Sequence, residues 1–162
     1  MKIGRVTMSD RASKGIYDDL SGPAIETVLK DSFNESIEFC VKLVSDDQHL
    51  IVEALKDLID NQHCNLVVTT GGTGPSERDV TPEATKEIIT KELLGFGELM
   101  RMESYKIVKT AILSRATAGI YNQALIINLP GKPSAIGECL PLLLPAIAEG
   151  MSHICDFRPK LK

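Results

Sequence analysis

The sequence predicts an α/β fold: a three-layer α/β/α domain with a mostly parallel sheet and a small antiparallel part. Strand-like and helix-like segments alternate along the chain, and the connections between them are short. Residues 66–69 form a short apolar, β-branched run, which is typical of a parallel strand buried on both faces. The length of 162 residues, with 43% hydrophobic and 25% charged residues, suits a single domain covering residues 1–162.

The first part of the chain indicates a strand, a loop and a helix. Residues 3–8 predict the first strand, and residues 9–20 predict a polar loop. Ser21 suits the N-cap of the following helix, and Pro23 suits its first turn. The apolar face of this helix would consist of Ala24, Ile25, Val28 and Leu29.

The next segments predict a second strand and a second helix before the third strand at residues 66–69. Residues 37–44 alternate between apolar and polar positions, as a strand does. Its apolar face would consist of Ile37, Phe39, Val41 and Leu43. Residues 47–61 place apolar pairs at every fourth position, which is the spacing of an amphipathic helix.

The middle of the chain predicts two further helices. Residues 81–91 predict a helix, because Pro82 suits its first turn and Glu83 suits the positive end of its dipole. The glycines at residues 95–97 predict an interruption, after which residues 98–108 predict the next helix.

The last part of the chain predicts a hairpin and a long helix. Residues 118–121 and 125–129 predict two strands, which pair as an antiparallel hairpin across Asn122 and Gln123. A sharp turn then leads into an apolar helix that contains Pro141 and Pro145. We expect that helix either to kink or to begin anew at one of these prolines.

Charge, cysteine spacing and hydropathy exclude several classes of protein. The net charge of −4 leaves no basic excess for binding nucleic acid. No run approaches the ~18 apolar residues of a membrane helix and no signal peptide is evident, so we expect a cytoplasmic protein without a membrane partner. The 4 cysteines lack metal-binding spacing, and we expect them to be small buried hydrophobic residues.

The glycine-rich turn after the third strand gives the strongest binding signal. Its residues are Thr70, Gly71, Gly72, Thr73 and Gly74. They follow a strand directly, and open α/β sheets bind their ligands at that position. Glycine lets a ligand approach the backbone amides closely, and those amides can bind an anion. The turn lacks the spacing of a P-loop, but it favours an anionic, phosphate-bearing ligand over a purely structural role.

Carboxylates follow two of the predicted strands. Asp79 stands just before a predicted helix, where it either supports the helix dipole or binds Mg²⁺. Asp46 and Asp47 follow the second strand; one of them suits the cap of the next helix, which leaves the other available at the same edge. Carboxylates on both sides of a glycine-rich turn are a reasonable arrangement for Mg²⁺ and phosphates.

A second turn, Pro130-Gly131-Lys132, follows another predicted strand at the same edge. Lys132 either faces a phosphate as a point charge or lies in solvent. Ser104, Ser114 and Arg115 are polar residues near the ends of apolar segments, and each taken singly is more often structural than functional.

Seven motifs stand in order along residues 3–147. They are TMSDRAS, SGPAI, LVSDDQ, TTGGTGPSERDVTPEAT, GFGELMRMESYK, TAILSRATAGI and LIINLPGKPSAI. Together they closely resemble the molybdopterin adenylyltransferases of the molybdenum-cofactor pathway. That resemblance implies a compact homotrimer with a three-layer α/β fold.

The resemblance also implies a reaction and the residues that perform it. The family binds molybdopterin, a pterin dithiolene monophosphate, and joins it to the AMP part of Mg²⁺-ATP with release of pyrophosphate. Its functional aspartates match Asp46 and Asp79, which would be the catalytic residues and the Mg²⁺ ligands, and its pterin-side serines match Ser104 and Ser114. The expected partners are molybdopterin, ATP and a downstream molybdenum-insertion protein. The expected substrate-binding residues are Thr70, Gly71, Gly72, Thr73, Gly74, Ser104, Ser114, Pro130, Gly131 and Lys132.

Two other functions remain open. One is a non-catalytic pterin-binding or scaffolding module of the same fold, because a fold does not settle a function. The other is a nucleotide pyrophosphatase, which would normally carry an extra C-terminal domain. The presence of both Asp46 and Asp79 favours catalysis over binding alone.

Overall fold

The computed structural model of the chain describes residues 1–16 and 18–162. Its strands are β1 (Lys2–Met8), β2 (Glu38–Val44), β3 (Leu66–Thr70), β4 (Lys91–Glu92), β5 (Ala118–Tyr121) and β6 (Ala124–Leu129). Within the described residues they form one sheet in the order β2-β1-β3-β6-β5-β4. The strands from β2 to β6 in this order are parallel, whereas β5 pairs antiparallel with both β6 and β4.

The helices cover both faces of this sheet. They are α1 (Asp10–Ser13), α2 (Ser21–Ser32), α3 (Gln48–Lys56), α4 (Thr81–Ile88), α5 (Leu94–Ile107) and α6 (Pro133–Cys155). A π-helical turn over Asp57–Asn61 extends α3, and a 3-10 helix over Lys109–Leu113 follows α5. On one face α2, α5 and α6 bury apolar side chains, and on the other face α3 and α4 do so. The predicted three-layer fold with a mostly parallel sheet is confirmed.

A buried polar contact ties α4 to the centre of the sheet. The side-chain amide of Asn128, on β6, donates to the hydroxyl of Thr69 on β3 at 3.0 Å and to that of Thr85 on α4 at 2.9 Å. All three residues are buried. Because a buried polar group is unfavourable without a partner, these bonds favour one placement of α4 over the sheet.

The predicted apolar face of the second strand is only partly buried. Ile37 and Phe39 pack against the core, but Val41 and Leu43 are 48% and 41% exposed. Because β2 lies at the edge of the sheet, the helical layers do not cover its whole length. Alternation predicted the strand but could not reveal its position at the edge.

The N-terminus of α2 is capped by a different residue from the one predicted. Ser21 was expected to cap it, but Asp19 accepts hydrogen bonds from the backbone N–H groups of Ser21 at 3.1 Å and Gly22 at 2.9 Å. The Ser21 hydroxyl donates instead to the carbonyl of Gly131 at 2.7 Å. Asp19 is held in turn by Arg5 at 2.7 Å, so the start of α2 is tied to β1.

Two predictions in the middle of the chain are corrected. The interruption expected at residues 95–97 is absent, because α5 begins at Leu94 and continues through both glycines. Gly97 instead permits close packing, since a Cβ there would press against the carbonyl of Ala116. The helix expected over residues 81–91 ends at Ile88, and β4 follows it.

Two further predictions concern connections between elements. The predicted hairpin between residues 118–121 and 125–129 is confirmed, with Asn122 in the left-handed region at φ 51°. The polar loop expected over residues 9–20 contains the short helix α1, which Ser9 caps by accepting from the N–H of Ala12. Residue 17 of that loop lies outside the described residues.

The last helix is continuous from Pro133 to Cys155 and does not begin anew at Pro141 or Pro145. By length and composition alone, α6 is long and apolar enough to cross a membrane. The prediction that no run approaches the length of an apolar membrane helix was therefore wrong. Its apolar face lies in the domain core, against β6 and α2. The buried residues of this face are Ile136, Cys139, Leu140, Leu143, Leu144, Ile147, Ala148 and Met151.

We predict that Asp57→Asn lowers the free energy of unfolding at about pH 7 and that this deficit shrinks in acid. Hydrogen bonds from Lys42, Asn61 and Gln62 hold the pKa of Asp57 well below its usual range. A carboxyl group whose pKa is lowered by folding stabilises the folded state above its unfolded pKa. That contribution is lost as the pH falls toward the folded pKa.

Urea unfolding at about pH 7 and about pH 2 measures this effect. Asp31→Asn, at an exposed position on α2, is the matched control. If Asp57→Asn lowered the free energy of unfolding by the same amount at both pH values, the prediction would be contradicted.

Candidate active site

The parallel strands bring four loops to one edge of the sheet. β1, β2, β3 and β6 run in the same direction, so their carboxyl ends lie side by side. The loops that follow them carry Asp10, Asp46, the glycine-rich turn and Pro130-Gly131-Lys132, respectively. Open α/β sheets bind their ligands at such an edge.

The glycine-rich turn packs closely against two of these loops. Gly71 and Gly72 have φ values of 96° and 62°, which glycine adopts without strain. A Cβ at Gly71 would press against the carbonyl oxygen of Met8 at the end of β1. A Cβ at Gly131 would lie 3.2 Å from the Cα of Gly71. Glycine at these positions therefore lets the loops after β1, β3 and β6 meet.

Two threonine hydroxyls fix the glycine-rich turn. Thr81, the first residue of α4, donates through Oγ1 to the carbonyl of Gly71 at 2.9 Å and through its N–H to the carbonyl of Gly72 at 3.1 Å. Thr70 donates to the carbonyl of Pro130 at 2.7 Å. These bonds join the turn to α4 and to the loop after β6.

The two candidate carboxylates flank the turn. A Cβ at Gly72 would lie 3.3 Å from Oδ1 of Asp46, and one at Gly74 would lie 2.8 Å from Oδ2 of Asp79. Burial raises the pKa of Asp46, and the negative charges of Asp10 and Asp79 raise it further. The structure therefore brings Asp46 and Asp79 together at the glycine-rich turn.

The hydrogen bonds of Asp47 decide which residue of the adjacent aspartate pair is available. Asp47 caps α3 by accepting from the N–H of Leu50 at 3.0 Å. Asp46 instead exchanges hydrogen bonds with Asp10: its Oδ2 accepts from the N–H of Asp10 at 2.9 Å, and its own N–H donates to Oδ1 of Asp10 at 3.1 Å. Asp46 is thus the member of the pair that faces the site.

Asp10 and Arg78 support this arrangement, and neither was predicted from the sequence as a site residue. Arg78 donates to Asp10 through Nη2 at 2.7 Å and Nε at 3.1 Å. The hydrogen bond from Arg78 holds the pKa of Asp10 below its ordinary value. Both residues lie within the motifs quoted above, but no spacing rule links positions so far apart in the chain.

Asp79 is held by its own loop. Its Oδ2 accepts from the N–H of Ser76 at 3.0 Å and from the hydroxyl of Ser76 at 2.6 Å. The carboxylate is therefore oriented by the segment that leads from the turn into α4.

The carboxylate pair fits a magnesium ion that binds together with substrate phosphates. Mg²⁺ prefers oxygen ligands and is usually held by one or two carboxylates plus phosphates. Across residues 1–16 and 18–162, no group of three or more His, Cys, Asp or Glu side chains is arranged to hold a metal ion. Asp46 and Asp79 are the two carboxylates at the turn that would hold such an ion.

A cavity of about 500 Å³ lies on the other side of the turn, a volume within the usual range of small-molecule sites. The predicted binding residues among its lining are Thr73, Gly74, Ser104, Ser114, Pro130, Gly131 and Lys132. Thr70, Gly71 and Gly72 do not line it. They build the turn that forms one wall.

The two serines occupy different walls of the cavity. The hydroxyl of Ser104, on α5, lies 3.3 Å from the sulfur of Cys139 on α6. Burial raises the pKa of the Cys139 thiol, which keeps this contact uncharged. Ser114 follows the 3-10 helix, and its carbonyl accepts from Arg101 at 3.3 Å.

The prediction of buried cysteines is confirmed for Cys64 and Cys139, whereas Cys40 and Cys155 are half-buried.

The fold is an α/β domain that carries a ligand-sized cavity and a pair of carboxylates at the carboxyl ends of its parallel strands. Residues 4–149 match the family described as "probable molybdopterin binding domain", and the chain belongs to that family. This confirms the resemblance seen in the sequence motifs.

Individual relatives agree with this assignment. The molybdopterin adenylyltransferase of Helicobacter pylori strain J99 is 58% identical over 90% of this chain and 82% of that protein. The molybdopterin adenylyltransferase of Escherichia coli K12 is 49% identical over 86% of this chain and 72% of that protein. The crystal structure of the molybdopterin biosynthesis enzyme MoaB from Thermus thermophilus is 35% identical, with a TM-score of 0.89 over 98% of this chain and 99% of that one.

We predict that Asp46→Asn raises the free energy of unfolding at about pH 7, with a gain that disappears in acid. Because burial raises the pKa of Asp46, the folded state binds a proton more tightly than the unfolded state does. The proton on Asp46 stabilises the folded wild-type protein at low pH, and this stabilisation is lost as the pH rises through the pKa of Asp46 in the folded state. Asparagine keeps an oxygen for the N–H of Asp10 but carries no charge.

Urea unfolding at about pH 7 and about pH 4 measures this effect. Asp47→Asn is the adjacent control, because asparagine also caps helices. A variant less stable than the wild type near neutral pH would contradict the prediction.

Proposed function

We propose that this protein is a molybdopterin adenylyltransferase of molybdenum-cofactor biosynthesis, which transfers AMP from Mg²⁺-ATP to the phosphate of molybdopterin and releases pyrophosphate. Relatives that bear this enzyme name at 58% and 49% identity support the assignment. The observation that carries the proposal is the position of Gly74, which lines the cavity and also lies against Asp79. A single turn separates a ligand-sized cavity from a pair of carboxylates.

We assign the pterin to the cavity and the nucleotide phosphates to the carboxylate side of the turn. The cavity has apolar walls from Met100, Val108 and Leu113, with the polar residues Ser104 and Ser114 among them. A few polar groups on apolar walls are typical of sites that orient a small organic ligand. Lys132 lines the same cavity and would supply a positive charge for the pterin phosphate.

In the proposed reaction, a phosphate oxygen of molybdopterin attacks the α-phosphorus of ATP. A new P–O bond joins the pterin phosphate to the α-phosphorus. At the same time the bond breaks between the α-phosphorus and the oxygen that bridges it to the β-phosphorus, and pyrophosphate leaves with the electron pair of that bond. The backbone N–H groups of residues 72–74 would supply fixed dipoles to the phosphoryl oxygens. Asp46 and Asp79 would hold Mg²⁺, which when bound offsets the negative charge of the reacting phosphates. The protein needs to provide no nucleophile of its own.

Pyrophosphate release in the presence of both molybdopterin and Mg²⁺-ATP tests the proposal. We expect release only when the pterin is present, together with an adenylylated pterin product. Pterin binding without release would favour the non-catalytic module. Nucleotide hydrolysis without pterin would favour the pyrophosphatase.

We predict that Asp79→Asn lowers kcat by about 100-fold or more while leaving pterin binding largely intact, because the substitution removes a metal carboxylate outside the cavity. Steady-state pyrophosphate release and a pterin titration measure the two effects separately. Glu77→Gln, at an exposed position in the same loop, is the matched control. Equal losses of pterin affinity and turnover would contradict this division of roles.

We further propose that the whole chain is one catalytic domain that works as a cytoplasmic homotrimer, with a molybdenum-insertion protein acting on its product. α5 and the 3-10 helix expose several apolar side chains, and exposed apolar patches commonly mark protein interfaces. They include Leu94, Leu99, Met102, Tyr105, Ile107 and Ile112.

We predict that the double variant Met102→Lys with Ile112→Lys is monomeric, because these side chains are 65% and 66% exposed in the single chain and the change would place charges in the apolar contact. Sedimentation velocity of the wild type and the variant measures the assembly. Val41→Lys, on the outer strand β2, is the control. A wild-type protein that sediments as a monomer would overturn the trimer.

A further inference from the structure

Arg115 contacts the end of the glycine-rich turn and the segment that leads from it into α4. Its backbone N–H donates to the carbonyl of Thr73 at 2.8 Å, and its Nε donates to the carbonyl of Gly74 at 2.8 Å. The guanidinium also donates to the backbone carbonyl of Asp79 and pairs with the carboxylate of Glu83 in the first turn of α4. One residue therefore contacts both ends of the segment from position 73 to position 79.

We propose that Arg115 is a positioning residue for adenylyl transfer, which fixes the Asp79 loop relative to the pterin cavity. This inference rests on the proposed function. The guanidinium is a flat, rigid group whose donors point in fixed directions. Because it binds the carbonyls at both ends of the segment 74–79, it sets the distance between those ends and so the place of the Asp79 carboxylate.

The other contacts of Asp79 do not provide this connection. Ser76 orients the carboxylate within its own loop, three residues away in the chain. Arg115 comes from a different segment, just before β5, and its neighbour Ser114 lines the cavity. The same short segment therefore contacts the cavity and the carboxylate loop.

The backbone that carries Arg115 is itself held in place. Arg101, on α5, donates to the carbonyl of Ser114 at 3.3 Å and to that of Ala116 at 2.8 Å. The main chain is thus fixed on both sides of Arg115. A displacement of Asp79 would require either these bonds or those of the Arg115 guanidinium to break.

The ion pair of Arg115 contributes more to geometry than to stability. The side chains of Arg115 and Glu83 are 36% and 44% exposed, and ion pairs in contact with solvent contribute little to folding. Variants at position 115 should therefore fold. Their main defect should be in the placement of the loop.

The test compares Arg115→Met and Arg115→Lys with the wild type, with Arg158→Met as the control. Arg158 is an exposed arginine that pairs with Glu149 on α6, away from the turn. We expect both Arg115 variants to lose about 100-fold in kcat, since a displacement of about 1 Å at a reacting group has an effect of that size. We expect molybdopterin affinity to change by no more than about twofold, because the walls of the cavity remain.

The variant Arg115→Lys distinguishes the geometry of the guanidinium donors from their positive charge. Its ammonium group keeps the positive charge but cannot reproduce the fork of donors that reaches both carbonyls. Wild-type turnover in Arg115→Lys would overturn the proposal, because charge alone would then suffice.

Amide hydrogen exchange provides a readout independent of activity. We expect faster exchange over residues 74–80 in Arg115→Met, with unchanged exchange in β3 and β6. Unchanged exchange over residues 74–80 would overturn the proposal, as would a loss of pterin affinity as large as the loss of kcat.

The outcomes separate this inference from the proposed function. A wild-type protein without pterin-dependent pyrophosphate release refutes the function, whatever the exchange data show. An active wild type with a fully active Arg115→Met refutes only the positioning role. If Arg115→Met does not fold, Glu83→Met decides: it removes one guanidinium partner, so we expect an intermediate loss of about 10-fold in kcat, and wild-type turnover would overturn the proposal.

Discussion

The contact between Gly71 and the end of β1 determines where the other groups of the candidate active site can lie. It is a contact of backbone with backbone, and any side chain at Gly71 would press against the carbonyl of Met8. Gly131 approaches the same point from the loop after β6. Three loops can therefore converge on one small area, and each of them brings a charged residue to it. The parallel direction of β1, β3 and β6 makes this convergence possible, because their carboxyl ends share one edge.

The convergence also concentrates negative charge. Asp10, Asp46 and Asp79 lie near one another, and their mutual effects contribute to raising the pKa of Asp46. Arg78 neutralises Asp10, and Arg115 pairs with Glu83 on the far side of the turn. Such an arrangement is unfavourable for folding by itself, but it suits the proposed binding of a cation together with phosphates. Active sites commonly retain local costs of this kind, because function requires them.

The regular elements of the fold could be predicted from periodicity, but several local features could not. The hairpin at Asn122 was predicted because short apolar runs flank a two-residue turn. Gly97 was misread as a break, since a glycine that permits close packing looks the same in sequence as one that ends a helix. Ser21 was misread as a cap because its hydroxyl has a distant acceptor, the carbonyl of Gly131.

The site was predictable to the extent that its residues follow strands directly. The glycine-rich turn and Asp46 follow β3 and β2, so topology alone places them at the same edge. The choice between Asp46 and Asp47 needed the motif resemblance, and the structure explains it through the cap on Leu50. Arg78 and Arg115 could not be selected, because their partners are joined to them only by the folded chain.

Asn128 connects the candidate active site to the interior of the domain through α4. Its amide holds Thr85, and Thr81 lies one helical turn earlier on the same face of α4, where it anchors the carbonyls of Gly71 and Gly72. A rotation or slide of α4 would break the inner bonds and the outer bonds together. The shape of the candidate site therefore depends on packing in the middle of the domain, and a change of side chain in the core would reach the turn through α4.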